Sequence, residues 1–372
     1  MSVQELLSRF HTAAANPGAQ LKQYLAAGEK VVLTAPVYTP EELIHAMGLV
    51  PMGAWGADLP LEESKKYFPA FICSIMQSVL ELGMRGAYEG VSALVVPSLC
   101  DSLKCLGQNW KYAVPSIPFV PMTYPQNRWG QVGEDFTRAG YERVIADLER
   151  ITGQTLDTKR LVDSIRVYNR HNAAMRRVDE VLANHPEITA AQRSDIFKSA
   201  FFVKKEEHTT WVEELISVLE GTAPDMGGHK VMTSGILCDS PALLEIFDSL
   251  GLQIVADDVA AESRQYRTDC AEMSDPLAAL CDKFTRMDCC SVLYDPDKKR
   301  PASIVAQAKA RNAKGVVVVL TKFCDPEEFD YPFLKRACDA AGLPVALVEV
   351  DRQMNNFAQA RTALETFREI LS

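Results

Sequence analysis

Short apolar runs alternate with amphipathic stretches at both ends of this 372-residue chain, and the middle keeps only the second kind of pattern. Lys30-Val31-Val32-Leu33-Thr34-Ala35, Leu49–Ala54 and Ala93–Pro97 read as strands, separated by helical periodicity over Glu41–Met47 and Ser74–Met84. Residues 1–28 form a helical lead-in with Leu6, Leu7, Phe10, Leu21, Tyr24 and Leu25 on its apolar positions. Thr39-Pro40-Glu41-Glu42 looks like a helix start, with Thr as N-cap, Pro at the first helical position and Glu closing a capping box. Between about 132 and 222 the segments Glu134–Ile151, Asp157–Val178, Thr189–Lys198 and Glu206–Leu219 carry helical spacing with little strand signal. Alternation resumes at Gly228. Strands are expected at Lys230–Leu237, Gln253–Ala256, Ser291–Tyr294, Val316–Leu320 and Val345–Val350, and helices at Pro241–Leu250, Asp275–Met287, Ala302–Arg311, Pro326–Ala341 and Asn355–Leu371. Repeated β-α-β alternation calls for parallel pairing. The pattern therefore predicts an α/β protein of two doubly wound, Rossmann-like parallel-sheet domains, residues 1–131 and 228–372, joined by a helical connecting segment, 132–227.

Composition narrows the function classes. At 47% hydrophobic and 24% charged the chain is an ordinary globular one, long enough to bury a core without disulfides or metal. The net charge of −10 and the lack of a basic stripe interleaved with aromatics argue against nucleic acid. The start Met1-Ser2-Val3-Gln4-Glu5-Leu6-Leu7 lacks the design of a signal peptide, and no apolar run approaches the ~20 residues of a membrane span. The expectation is a cytoplasmic protein without membrane contact, whose ten cysteines are reduced and serve as ligands or core residues.

Position separates the cysteines. Cys324 ends the apolar run Gly315–Leu320 in Thr321-Lys322-Phe323-Cys324-Asp325-Pro326-Glu327-Glu328, and Cys100 ends Val95-Val96-Pro97-Ser98-Leu99-Cys100-Asp101. Both fall at the carboxyl tip of a strand, where open α/β sheets present binding groups, with a helix N-terminus following that favours thiolate. Pro326 and the acidic pair after Cys324 suit the first turn of such a helix. Cys73 lies in Phe71-Ile72-Cys73-Ser74-Ile75-Met76-Gln77 at the start of another helix. Three thiols brought from distant segments match an iron–sulfur cluster with one open iron. Local C-x-x-C, zinc-ribbon and ferredoxin spacings are missing. Cys105 follows Cys100 by about a turn and a half of helix and competes with it as a ligand, and Cys238-Asp239 repeats the strand-Cys-Asp pattern. Cys270, Cys281, Cys289, Cys290 and Cys338 fit small buried hydrophobes, with Cys289-Cys290 just ahead of a strand.

Among the remaining candidates, Asp257-Asp258 with Glu262 and Arg264 follow a strand end. They read either as cleft- or partner-facing groups or as a capped helix start with a surface ion pair. His45 and His208 read as solvated or packed histidines, and Trp55 and Trp110 as core or interface aromatics. Gly53-Ala54-Trp55-Gly56 is not a phosphate loop, so no ATP site is expected.

Several segments together resemble the 2-hydroxyacyl-CoA dehydratase family, in order and over nearly the whole chain. They are Thr39-Pro40-Glu41-Glu42-Leu43 followed by Gly48–Gly56, Pro97–Leu103, Ala256-Asp257-Asp258 with Glu262-Ser263-Arg264, and Phe323-Cys324-Asp325-Pro326-Glu327-Glu328-Phe329-Asp330-Tyr331-Pro332. Within that family the chain looks most like a β subunit of the 2-hydroxyglutaryl-CoA type. The resemblance implies a heterodimer with a paralogous α subunit and a [4Fe–4S] cluster held by Cys73, Cys100 and Cys324, with Cys105 outside the motif. It implies loss of water from an (R)-2-hydroxyacyl-CoA to the (E)-2-enoyl-CoA, through a ketyl radical made with one electron from an ATP-dependent iron–sulfur activator. It assigns substrate contact mainly to the α subunit and electron relay to the β subunit, and it admits a flavin (FMN or riboflavin). Two rivals stand beside it: a homodimeric double-cubane reductase of the same superfamily, which would need Cys105 or Cys238 as further ligands, and a metal-free two-domain small-molecule binder.

Overall fold

A computed structural model of the chain describes residues 1–221 and 227–371; positions 222–226, the end of the expected connecting segment, lie outside the described residues. Two helices, α1 (Val3–Ala15) and α2 (Pro17–Ala26), lead into a first parallel sheet. Its strands are β1 (Val31–Thr34), β2 (Val50–Gly53), β3 (Ala93–Pro97) and β4 (Phe119–Met122), in the order β2-β1-β3-β4. The helices α3 (Glu41–Ala46), α4 (Ser74–Met84) and α5 (Asp101–Ala113) connect them. Four helices follow: α6 (Gly130–Thr152), α7 (Thr158–Leu182), α8 (Ala190–Ser199) and α9 (Lys205–Glu220). Leu6 and Phe10 of α1 pack with Met175, Phe197 and Leu215 from this group, so the lead-in and the helical stretch share one core.

The second sheet is also parallel, with β5 (His229–Gly235), β6 (Leu252–Val259), β7 (Gly315–Thr321) and β8 (Val345–Val350) in the order β6-β5-β7-β8. Helices α10 (Pro241–Ser249), α12 (Arg300–Ala310), α13 (Asp325–Ala340) and α14 (Ala358–Leu371) accompany it, whereas α11 (Pro276–Arg286) puts Ala279, Leu280 and Phe284 into the core of the first lobe. The valine run of β7 shows why an unbroken apolar strand is required here. Val317 and Val319 face a core with Phe247 and Leu364, while Val316 and Val318 face one with Ile304 and Leu334. Both sheets have the doubly wound order predicted from the alternation. In each, the first and third strands lie side by side, and the switch of direction opens a crevice at their carboxyl ends.

Four local expectations are corrected. Ser291–Tyr294 is not a strand: Leu293 N–H closes a turn on the Cys290 carbonyl, and Arg128 donates to the Met287 and Tyr294 carbonyls at 2.6 and 2.5 Å in place of a ladder. Cys289-Cys290 therefore precede a turn. Phe119–Met122, not anticipated, is the edge strand of the first sheet, the one place where Pro121 is tolerated. β6 runs on through Asp257 and Asp258, which pair with Thr233 and Ser234. Finally, α3 begins after Pro40 without a side-chain cap, because the Thr39 hydroxyl donates back to the Ala35 carbonyl at 2.8 Å.

Candidate functional site

Cys73, Cys100 and Cys324 are each the N-cap residue of a helix, α4, α5 and α13 respectively. Cys100 follows β3 and Cys324 follows β7, the third strand of each sheet, so the two occupy equivalent places in the two lobes. All three line one cavity of about 450 Å³ between the lobes, together with Val37, Trp55, Ile75, Leu99 and Leu293. Cys73 and Cys324 are buried and Cys100 is partly exposed. Among the described residues, no group of three His, Cys, Asp or Glu side chains is gathered tightly enough for a single metal ion. The thiols thus surround a space rather than a point.

The helix N-termini do favour thiolates at Cys100 and Cys324, but burial outweighs them and lifts all three thiols above their ordinary value, Cys100 to about 12. Repulsion from Cys73 adds to the rise at Cys100 and at Cys324. N–H groups of the first helical turns pull the other way, from Ile75 and Met76 at Cys73, Ser102 and Leu103 at Cys100, and Glu327 at Cys324. None of the three sulfurs makes a full capping hydrogen bond. Three helix N-termini thus converge on these sulfurs.

A buried charged network adjoins this arrangement, and its Arg193, Arg267 and Arg300 were missed by sequence reading. Glu327, in the first turn of α13, is buried and accepts from Ser291 Oγ at 2.7 Å, Arg300 Nη2 at 2.8 Å and Arg264 at 3.3 Å. Burial would raise its carboxyl, but Arg300 and Arg264 outweigh burial and hold it low. Asp258 sits in the same network with Arg264, Arg267 and Arg300, and these three lower it to about 2 against the effect of burial. Asp257, Glu262 and Asp179 all close on Arg193. Asp257-Asp258, Glu262 and Arg264 are therefore neither cleft-facing groups nor a surface ion pair; they form a buried ionic core beneath the cavity. The sequence pointed to Asp257, Asp258, Glu262 and Arg264 but gave no sign of the arginines that close on them from α8 and α12.

Of the other thiols, Cys105 is exposed on α5, and Cys238 lines a separate cavity of about 20 Å³ with Asp239 and Arg352. Cys270, Cys281, Cys290 and Cys338 are core residues. His208 is buried against His171, 3.0 Å away, and His45 bridges Ser164 and Glu206. Trp110 is fully buried, whereas Trp55 reaches the cavity wall.

Two parallel α/β lobes with a thiol at equivalent strand tips, and a third thiol on a neighbouring helix start, define a class of two-lobed proteins with a cysteine-lined cleft. The pattern of the 2-hydroxyglutaryl-CoA dehydratase D-component matches residues 36–371, and the chain belongs to that family. It is 42% identical over 365 residues to the (R)-phenyllactyl-CoA dehydratase β subunit of Clostridium sporogenes, covering 97% of both chains. It is 39% identical over 374 residues to the lactoyl-CoA dehydratase β subunit of Anaerotignum propionicum, covering 99% of both. The (R)-2-hydroxyglutaryl-CoA dehydratase β subunit of Acidaminococcus fermentans matches at 37% over 379 residues and the full length of each. Among the described residues no helix is long and apolar enough to cross a membrane.

Proposed function

We propose that this chain is the iron–sulfur β subunit of a cytoplasmic, heterodimeric (R)-2-hydroxyacyl-CoA dehydratase, paired with a paralogous α subunit and served by an ATP-dependent iron–sulfur activator. Cys73, Cys100 and Cys324 would hold a [4Fe–4S] cluster, and the chain's part is to relay one electron towards the partner's substrate site. The observation that carries this reading is the convergence of these three N-cap cysteines on one cavity. The donor set fits: three soft sulfurs disposed around a volume suit a polynuclear cluster better than one hard ion. When bound, such a cluster supplies one-electron chemistry and an open iron able to act as a Lewis acid.

The chain's own residues prepare that site. First-turn N–H groups of α4, α5 and α13 offset the charge of three thiolates. Val37, Ile75, Leu99 and Leu293 line the cavity with apolar surface. The relatives are named for phenyllactyl, lactoyl and 2-hydroxyglutaryl groups at similar identities, which supports 2-hydroxyacyl-CoA as the substrate class rather than one acyl chain. The double-cubane alternative would need further thiols at the site, and Cys105 and Cys238 both lie off the cavity.

The test is anaerobic purification together with the paralogous subunit, followed by iron and sulfide analysis. About four irons in this chain, falling sharply in Cys100→Ser and Cys324→Ser, is the expected outcome. Fluorescence of any flavin released from the same preparation reports that cofactor separately. An iron-free chain that still supports dehydration would overturn the proposal.

A further inference from the structure

The three thiols come from two lobes, so their spacing depends on the seam between them. Arg352, just beyond β8, donates its backbone N–H to Ser74 Oγ at 3.0 Å, and Ser74 is the residue after Cys73. The Arg352 guanidinium reaches both Asp239 oxygens at 3.1 Å and Asp58 at 3.1 Å. Asp239, one residue past Cys238 in the loop after β5, also accepts from Trp55 Nε1 at 2.6 Å and is ion-paired with Lys198 Nζ at 3.0 Å. Trp55 and Asp58 follow β2 in the first lobe, Lys198 belongs to α8, and Asp239 and Arg352 belong to the second lobe. Ser74, Trp55, Asp239 and Arg352 are all at most 8% exposed.

We infer that Arg352 and Asp239, with Trp55, are positioning residues that clamp the N-terminus of α4, and Cys73 with it, against the lobe carrying Cys324. Two features favour this over a general stabilising role. The clamp contacts the residue next to a candidate ligand, and its bidentate geometry fixes direction as well as distance. The iron readout below rests on the cluster reading above; the clamp itself does not.

The experiment compares wild type, Arg352→Gln, Arg352→Lys and Trp55→Phe, each purified anaerobically with the partner subunit. In Arg352→Gln and in Trp55→Phe we expect lower iron content, with Arg352→Lys, which keeps the charge opposite Asp239, restoring most of it. Independently, metal-stripped protein is treated with a short bifunctional thiol reagent. Linkage of Cys73 to Cys324 should slow several-fold in Arg352→Gln and in Trp55→Phe, and less in Arg352→Lys. Iron content and linkage rate both equal to wild type would overturn the inference. A wild type without iron would overturn the cluster reading and leave the linkage rates to decide the clamp, and Trp55→Phe decides it where Arg352→Gln fails to fold.

Discussion

At the scale of single residues, what matters is what each buried polar group meets. Cys105→Ser and Cys238→Ser should leave the iron content unchanged, because neither thiol lines the cavity of Cys73, Cys100 and Cys324. Cys238→Ser should still lose about 1–2 kcal/mol of stability, since it buries a hydroxyl where a thiol belongs to the second lobe's apolar cluster. Thermal unfolding and iron assays on the two variants separate these effects; iron loss in either would reassign the ligands. Glu262 gives a pH prediction. Burial, reinforced by Asp257, outweighs the pull of Arg193 and pushes its carboxyl from 4.5 up to about 8. The folded chain therefore holds a proton that the unfolded chain gives up, and this contribution to stability falls as pH rises from about 4.5 to about 8. Glu262→Gln cannot titrate, so its melting temperature relative to wild type should climb by a few degrees between pH 5 and pH 8. Parallel curves for the two proteins would refute the assignment. Cys100 and Cys324 were legible in the sequence because each closes a strong apolar run and opens a helix. Cys73 stood out less, having no strand before it. Asp239 and Arg352 were not singled out as a pair, since separated charges acquire meaning only when two strand tips meet across a seam.

Among elements, α4 and α5 carry Cys73 and Cys100 at their N-termini, and they cross where Gly83 of α4 lies against Trp110 of α5. A Cβ at Gly83 would come within 2.6 Å of the Trp110 ring and 3.0 Å of Val114. Trp110 has no room to yield, being fully buried with Nε1 bonded to the Ile117 carbonyl at 2.9 Å. Gly83→Ala should therefore push the helices apart at a cost of about 1–3 kcal/mol, and it should lower iron retention because both helix starts move. Denaturant unfolding checks the first effect and iron analysis the second; wild-type values in both would show that the crossing is loose. Most elements could be read from apolar periodicity, which is strongest where a strand is covered on both faces, as in β7. The pattern failed where another force set the backbone. At Ser291–Tyr294, Arg128 replaced a neighbouring strand as hydrogen-bond donor. At β4 a proline obscured an edge strand.

For the molecule as a whole, the two sheets repeat one strand order, and the site lies where their carboxyl ends face each other. That geometry separates what folds the lobes from what joins them. Each sheet has its own apolar core, with Val32, Leu33, Leu94 and Val95 in the first lobe and Val231, Val316 and Val317 in the second. These cores need apolar burial rather than a metal, and a chain of this length buries enough surface to fold without one. A cluster bound to three cysteines from both lobes would add stability by linkage, binding the assembled state and not the separated one. Stripping the iron anaerobically with a chelator should therefore leave far-UV circular dichroism unchanged while lowering the melting temperature. Amide exchange should rise at the seam, in 71–75, 98–103 and 321–327, while β1, β3, β5 and β7 keep their protection. Loss of protection throughout both sheets on stripping would mean that the metal, rather than apolar burial, builds the lobes.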